Sequence, residues 1–123
     1  MRFLGTIKMA EDAGAPPPAL MEAMGPFIQE AIVAGVIAET GGLAPTAEGV
    51  YFRLDKGEVR VTDGPFSESK EVVGGYVIYD VASREVAVDW SRRFVELHQK
   101  HWPEMTCECE LRQMHPMEGG PKL

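Results

Sequence analysis

One ten-residue stretch of this chain groups several side chains that could do chemistry. It places hydroxyls and charged groups around a Gly-Pro break and reads Thr62-Asp63-Gly64-Pro65-Phe66-Ser67-Glu68-Ser69-Lys70-Glu71. Before the break, Val59, Val61 and Asp63 recur at the period of two that is typical of a strand. The Gly64-Pro65 pair must end that strand, because Pro65 fixes its own φ and pushes Gly64 out of the α region. The sequence therefore predicts the Asp63 carboxylate at a strand end beside irregular backbone, where binding and catalytic groups are often held.

The residues alone leave two interpretations of Asp63 open. An aspartate beside a turn can hydrogen-bond to its own backbone two residues on, which is a purely structural role. The alternative is a general base, with Arg53, Arg60 or Tyr76 holding an anionic substrate. No sequence feature selects among these three partners.

The same stretch resembles the DGPF signature of the YCII-related proteins, a family of small bacterial proteins that reads roughly TDGPFAETKE at this point. A second segment, Gly41-Gly42-Leu43-Ala44-Pro45-Thr46, resembles the family's GGLxPS segment. The resemblance covers roughly residues 1 to 114 and implies a ferredoxin-like fold assembled as a dimeric α/β barrel. It also implies a site at the motif loop, but it gives no reaction, because most of the family has no assigned chemistry.

Some relatives in the wider YCII-related group use a histidine-aspartate pair for proton transfer such as dehydrohalogenation. In that pair the carboxylate orients the imidazole and stabilises its charged form, and the histidine lies in the N-terminal half of the chain. Here no histidine precedes His98. The dehydrohalogenation chemistry is therefore not carried over to this chain.

The remaining sequence predicts the elements that must position the motif. A helix with apolar residues at three- and four-residue spacing should run through Ile32, kink or split at Pro26 and stop at Gly35. A second helix should begin at the cap Ser83 and end before Pro103. Extended segments are predicted over residues 2–9, 36–38, 50–54, 58–62, 72–79 and 106–114, with a hairpin turn at 55–57 and a loop at 41–46.

The strand over residues 72–79 is apolar on both of its faces. Its two alternating sets are Val73, Val77 and Tyr79, and Val72, Tyr76 and Ile78. Two helices can cover only one face of such a sheet, so the other face needs a partner. The sequence therefore predicts a homodimer that closes two sheets face to face, since closed two-fold dimers are the commonest oligomers.

The composition indicates which binding partners and which cellular compartment to expect. The formal net charge is −7 and the basic residues are scattered, which argues against nucleic acid and against anionic membrane surfaces. The first apolar run is broken at Lys8 and is too short for a signal peptide or a membrane span. We expect a cytoplasmic protein with a single domain over residues 1–123 and a frayed tail after about residue 117.

Two cysteines and three histidines near the C-terminus raise the question of a metal. His98 and His101 share a helix face, and Cys107 and Cys109 share a strand face, but their spacing differs from that of known zinc sites. YCII-related proteins commonly carry aliphatic residues at the two cysteine positions, so we interpret these thiols as small core fillers. We predict neither a metal nor a cofactor.

Together these observations predict a cytoplasmic homodimer that binds a small organic ligand in the pocket of the dimeric barrel, with a regulatory role. The alternative is a lyase- or isomerase-like proton-transfer enzyme with Asp63 as its general base. Asp63 is the candidate catalytic residue, and the candidate ligand-binding residues are Arg60, Gly64, Pro65, Phe66, Glu68, Lys70 and Tyr76.

Overall fold

The computed structural model describes residues 1–65 and 71–123. Within these residues the chain forms six strands, two helices and one short 3-10 turn at Thr46–Glu48. The helices are α1 (Pro18–Val33) and α2 (Arg84–His101). The strands are β1 (Arg2–Ala10), β2 (Ile37–Gly42), β3 (Val50–Asp55), β4 (Glu58–Asp63), β5 (Glu71–Asp80) and β6 (Cys107–Gln113).

Four of these strands form one antiparallel sheet in the order β2-β5-β1-β6. Helix α1 connects β1 to β2 and α2 connects β5 to β6. Both helices cover the same face of the sheet, where one cavity is lined by residues of α1, α2 and the strands. This arrangement confirms the predicted ferredoxin-like α+β fold. The remaining strands, β3 and β4, form a separate two-stranded hairpin.

Local signals in the sequence account for most of the helix boundaries. Gly35 has φ of 72°, a left-handed conformation that favours glycine, and its N–H donates to the Ile32 carbonyl to end α1. The Ser83 side chain accepts a hydrogen bond from the Val86 N–H at 3.3 Å and caps α2, as predicted. Helix α1 continues through Pro26 as one element, so the proline does not split off its first turn.

The buried core lies between the sheet and α2. Phe3 of β1 and Tyr79 of β5 are opposite each other in the sheet, and they form a cluster with Val81 and Ala87. Trp90, Val77 and Leu111 are partly buried against this cluster. The helix side of β1 and β6 therefore carries apolar residues at every second position, which the alternation in both segments predicts.

A β-bulge in β5 corrects one prediction about the sheet faces. Ile7 lies opposite Gly75, and the next residue of β1, Lys8, lies opposite Val73, so Gly74 is an extra residue. One extra residue reverses the alternation of side chains beyond it. Val73 therefore shares a face with Tyr76 and Ile78. The unbroken alternation had predicted that Val73 shares a face with Val77 and Tyr79.

The second correction concerns the segment after α1. The sequence predicted an extended piece over residues 36–38 and a loop from Gly41. Instead β2 extends to Gly42, and Gly41 and Gly42 lie opposite Tyr76 and Gly75 of β5. Pairing with the backbone of β5 holds Gly41 and Gly42 in the strand. This pairing outweighs the low strand propensity of glycine.

The sheet face opposite the helices, here called the open face, has an apolar strip along its centre. Residues that lie opposite each other on β1 and β5 share a face. The strip therefore consists of Val73, Tyr76 and Ile78 of β5 with Leu4 of β1, and Arg2, Thr6 and Lys8 of β1 lie on the same face. Charged residues lie on both sides of it, with Glu39 on β2 and Glu110 and Arg112 on β6.

The hairpin of β3 and β4 is joined by a two-residue turn, as the Asp55-Lys56-Gly57 segment predicts. Lys56 and Gly57 have φ of 51° and 83°, the positive values that a type I′ turn requires. Because opposite residues share a face, the register gives the hairpin one apolar face and one polar face. The apolar face consists of Val50, Phe52, Leu54, Val59 and Val61, and Asp63 lies at its end opposite Val50.

Candidate functional site

The two segments that resemble family motifs meet at the base of the hairpin. Asp63 is the last residue of β4 and lies opposite Val50. The N–H of Gly64 donates to the Gly49 carbonyl at 2.8 Å, and the Gly64-Pro65 peptide bond is cis. A Cβ atom on Gly64 would lie 1.6 Å from the carbonyl oxygen of Thr46. Only glycine fits at this position without moving the backbone of the 3-10 turn.

Glu11 fixes the other side of the same turn. Its carboxylate accepts hydrogen bonds from the Thr46 N–H at 2.8 Å and from the Thr46 hydroxyl at 2.5 Å. These bonds to the ionised form lower the pKa of Glu11, with the side-chain hydrogen bond as the largest cause. The end of β1, the 3-10 turn and the base of the hairpin are thereby connected. Sequence analysis missed Glu11, because nothing in the local pattern marks a partner 35 residues away.

Asp63 itself is exposed at this junction. Among the described residues, its carboxylate has no hydrogen bond or ion pair. Arg60 is also exposed and lies 3.9 Å from Glu58, on the polar face of the hairpin. Since residues three apart on a strand project to opposite faces, the structure does not bring Arg60 and Asp63 together.

The other predicted ligand-binding residues are divided between this junction and the sheet. Gly64 and Pro65 lie beside Asp63, while Phe66, Glu68 and Lys70 lie outside the described residues. Tyr76 lies on the open face of the sheet, where its hydroxyl donates to a Glu39 oxygen at 3.0 Å. This hydrogen bond is the largest cause of a raised Tyr76 pKa. An aromatic ring fits there because Gly41 opposite it has no side chain.

A cavity of about 170 Å³ lies on the other side of the sheet, between the strands and the two helices. Its wall is mostly apolar and is partly open to solvent, and Asp63 is not among its lining residues. The helices contribute Met24, Phe27, Ile28, Ala31, Trp90, Ser91 and Phe94. The strands contribute Gly5, Thr6, Ile7, Ile37, Gly41, Gly75, Tyr76, Val77, Tyr79, Cys109, Glu110 and Leu111.

Two ionisable groups of the cavity wall, Tyr79 and Cys109, are held in their neutral forms. Burial raises the pKa of Tyr79, although a hydrogen bond with Ser91 opposes the shift. Cys109 is exposed at the edge of the wall, but partial desolvation of its thiol is the largest cause that raises its pKa to about 11, with a further contribution from the neighbouring Cys107. This phenol and this protonated thiol therefore add neutral polar groups to a mostly apolar wall, beside Thr6, Ser91 and Glu110.

The two cysteines and His98 lie on the helix side of the sheet. Cys107 and Cys109 lie opposite Met9 and Ile7 of β1, which confirms that they share one strand face. His98 is buried in α2, and its Nδ1–H donates to the Phe94 carbonyl at 2.9 Å. Cys109 contributes to the wall of the cavity instead of filling a core position.

Comparison with known proteins decides the family. The model of the YCII-related domain matches residues 1–100. The chain belongs to the YCII-related family. This YCII-related chain is also 38% identical over 61 residues to an uncharacterized protein of Rhizobium meliloti (strain 1021), a match that covers 50% of the chain and 49% of that relative. The chain thus spans about half the length of the curated relative it matches.

The two helices of this YCII-related protein form one layer against the sheet. Within the described residues, no helix has the length and apolar character that are needed to span a lipid bilayer.

Proposed function

We propose that this YCII-related protein binds a small, neutral, largely apolar organic molecule in the cavity between the helices and the sheet. The observation that carries the proposal is the volume of about 170 Å³ inside an apolar wall. An apolar cavity of about 150 Å³ is large enough to stay dry and to bind benzene. A one-ring aromatic compound matches the cavity in size.

The energetics of the core support a ligand at this place. Protein interiors are normally close-packed, and side chains that line an unfilled space lose contacts with partner atoms. Yet Phe27, Trp90 and Phe94 line this space and remain only partly buried. A bound apolar molecule would supply the contacts that these rings lack.

This location differs from the pocket that the sequence suggested. A pocket inside a dimeric barrel would lie on the open face and would need a second protomer to enclose it. The cavity proposed here lies within one chain and opens on the helix side. Among the predicted ligand-binding residues that the structure describes, Tyr76 also lines it. We still propose a homodimer, because the apolar strip of the open face needs a cover.

The role that fits this site is that of a non-catalytic binding module with a regulatory function. A proton-transfer enzyme with Asp63 as its general base is the alternative. That chemistry would need a substrate at the base of the hairpin, and Arg60, the anion-binding candidate on the same strand, faces away from Asp63. In the cavity wall the Cys109 thiol stays protonated with a pKa of about 11, so it does not supply an ionised base.

Trp90 lines the cavity, so ligand entry can be followed by its fluorescence and by melting temperature. We expect the one-ring compounds benzene, toluene or chlorobenzene to bind in the micromolar to millimolar range and to raise the melting temperature. Ile28→Trp should fill the cavity and abolish binding. Val33→Trp is the matched control, since Val33 is on the same helix but 78% exposed and should bind as the wild type does.

Two results would contradict this proposal. One is that none of the three compounds changes the fluorescence or the melting temperature of the wild type. The other is that Ile28→Trp, with an intact circular dichroism spectrum, binds them as tightly as Val33→Trp.

A further inference from the structure

The two cysteines of β6 form a pair of neighbouring thiols, here called the dithiol. Cys107 and Cys109 are two positions apart on one strand, so their side chains project to the same face. They lie opposite Met9 and Ile7 of β1, on the side of the sheet that the helices cover. The two side chains interact through a hydrogen bond, which places the two sulfur atoms next to each other. The chain has no other cysteine.

The dithiol can be reached from solvent and is continuous with the cavity. β6 is an edge strand of the four-stranded sheet. Cys107 is partly exposed and Cys109 is exposed, and Cys109 also lines the cavity. Because both thiols lie on the helix side, a second copy of the chain on the open face would leave them accessible. A ligand held by both sulfur atoms would therefore lie between solvent and the apolar wall.

The surroundings of the dithiol favour a ligand that needs only two sulfur atoms and gives a neutral product. A structural zinc ion takes four ligands, and within residues 1–65 and 71–123 no group of three or more His, Cys, Asp or Glu side chains could hold a metal ion. The Glu71 carboxylate acts on Cys107 through its negative charge, and both thiols are partly desolvated. Negative charge and desolvation both oppose an anionic complex, such as a monovalent copper ion between two thiolates.

We propose that the dithiol chelates trivalent arsenic. Arsenous acid, As(OH)3, is neutral at physiological pH and exchanges two of its hydroxyl groups for the two thiols. Two arsenic–sulfur bonds form and two arsenic–oxygen bonds break, and each thiol proton leaves with a hydroxyl group as water. Arsenic stays trivalent, so nothing is oxidised or reduced, and the adduct carries no charge. The second arsenic–sulfur bond forms within one molecule, where the effective concentration of the second thiol is high.

An arsenical with one organic group would use the cavity as well. Phenylarsine oxide loses its oxygen as water when it reacts with two thiols, and its phenyl ring stays on arsenic. Cys109 lines the cavity together with Ile7 and Leu111, so the ring of the adduct lies against the apolar wall. This second contact rests on the proposed function of the cavity, whereas chelation by the dithiol does not.

Chelation is tested by isothermal titration calorimetry of the reduced full-length chain with arsenous acid under nitrogen. We expect one arsenic per chain. Cys107→Ser and Cys109→Ser should each raise the dissociation constant by about 100-fold or more, because a single thiol loses the chelate. Glu108→Gln is the matched control, since Glu108 lies between the two cysteines but projects to the opposite face of the strand. Its dissociation constant should equal that of the wild type, and circular dichroism checks that each variant is folded.

Two results would overturn the chelate. One is a wild type that does not bind arsenous acid. The other is a pair of folded serine variants that bind it as tightly as Glu108→Gln does.

The contact with the cavity is tested with phenylarsine oxide and the cavity-filling variant Ile28→Trp. We expect this variant to bind phenylarsine oxide about tenfold more weakly than Val33→Trp, because the ring loses its apolar surroundings. Arsenous acid, which has no ring, should bind both variants equally. Equal binding of phenylarsine oxide to the two variants overturns the contact with the cavity. If arsenous acid binds the wild type and benzene, toluene and chlorobenzene do not, the chelate is supported and the proposed function of the cavity fails.

Discussion

Gly64 lies directly against the backbone of Thr46, and the contact leaves no room for a side chain. A Cβ atom at Gly64 would be 1.6 Å from the Thr46 carbonyl oxygen. Thr46 is held from its other side by the Glu11 carboxylate. The glycine of one motif and the threonine of the other are therefore two halves of a single junction, which sets the position of the hairpin relative to the end of β1.

Substitution of Gly64 by alanine should weaken this junction. The new methyl group would push the 3-10 turn away from β4, and overpacking of this kind costs about 1–3 kcal/mol. Chemical denaturation should show a lower free energy of unfolding for Gly64→Ala. The matched control is Gly25→Ala, because a Cβ at Gly25 meets no atom within 4 Å and alanine in a helix stabilises by about 0.5–1 kcal/mol. Equal stabilities of the two variants would refute the close contact.

Glu11 should make stability depend on pH in the acid range. Its folded-state pKa is lowered by the hydrogen bonds from Thr46, so the ionised carboxylate stabilises the fold at every pH above its ordinary pKa. That contribution disappears as the pH falls through the lowered folded-state pKa. The denaturation midpoints at pH 7 and pH 3 should therefore differ less in Glu11→Gln than in the wild type. Glu22→Gln on the surface of α1 should leave the difference as it is in the wild type.

Asp63→Asn separates a turn residue from a binding site. Asparagine keeps the volume and most of the turn hydrogen bonding but removes the charge. In a turn role the substitution should cost well under about 1–2 kcal/mol. In a binding role stability should stay the same or rise, and binding of a ligand at the hairpin base should fall by roughly 1.5–3 kcal/mol. The binding role fails if the variant is strongly destabilised while any ligand found for the wild type still binds as before.

Cys109 should resist alkylation in the folded protein. A pKa raised to about 11 leaves on the order of 100-fold less thiolate at pH 8 than an ordinary cysteine has, and the thiolate is the reactive form. Iodoacetamide labelling followed by peptide mass spectrometry measures the rate at this position. The same chain unfolded in urea is the control. Similar rates in the two states would show that the folded environment does not protect the thiol.

Local patterns in the sequence were sufficient for most elements of the fold. The cap at Ser83, the stop at Gly35 and the Lys56-Gly57 turn all act through residues close in the chain, so short-range stereochemistry determines them. The alternation of β6 likewise placed Cys107 and Cys109 on one face, as the register confirms. The resemblance to the YCII-related family is confirmed by the match over residues 1–100.

Tertiary structure decided the features that depend on distant partners. The bulge at Gly74 reverses the face of Val73, and it arises from the pairing of β5 with β1, which no local pattern encodes. The Glu11–Thr46 bonds and the contact of Gly64 with Thr46 join segments that are far apart in sequence. The cavity is bounded by side chains of both helices and the sheet. Its volume depends on how closely those layers approach each other, and a one-dimensional pattern of apolar residues does not specify that distance.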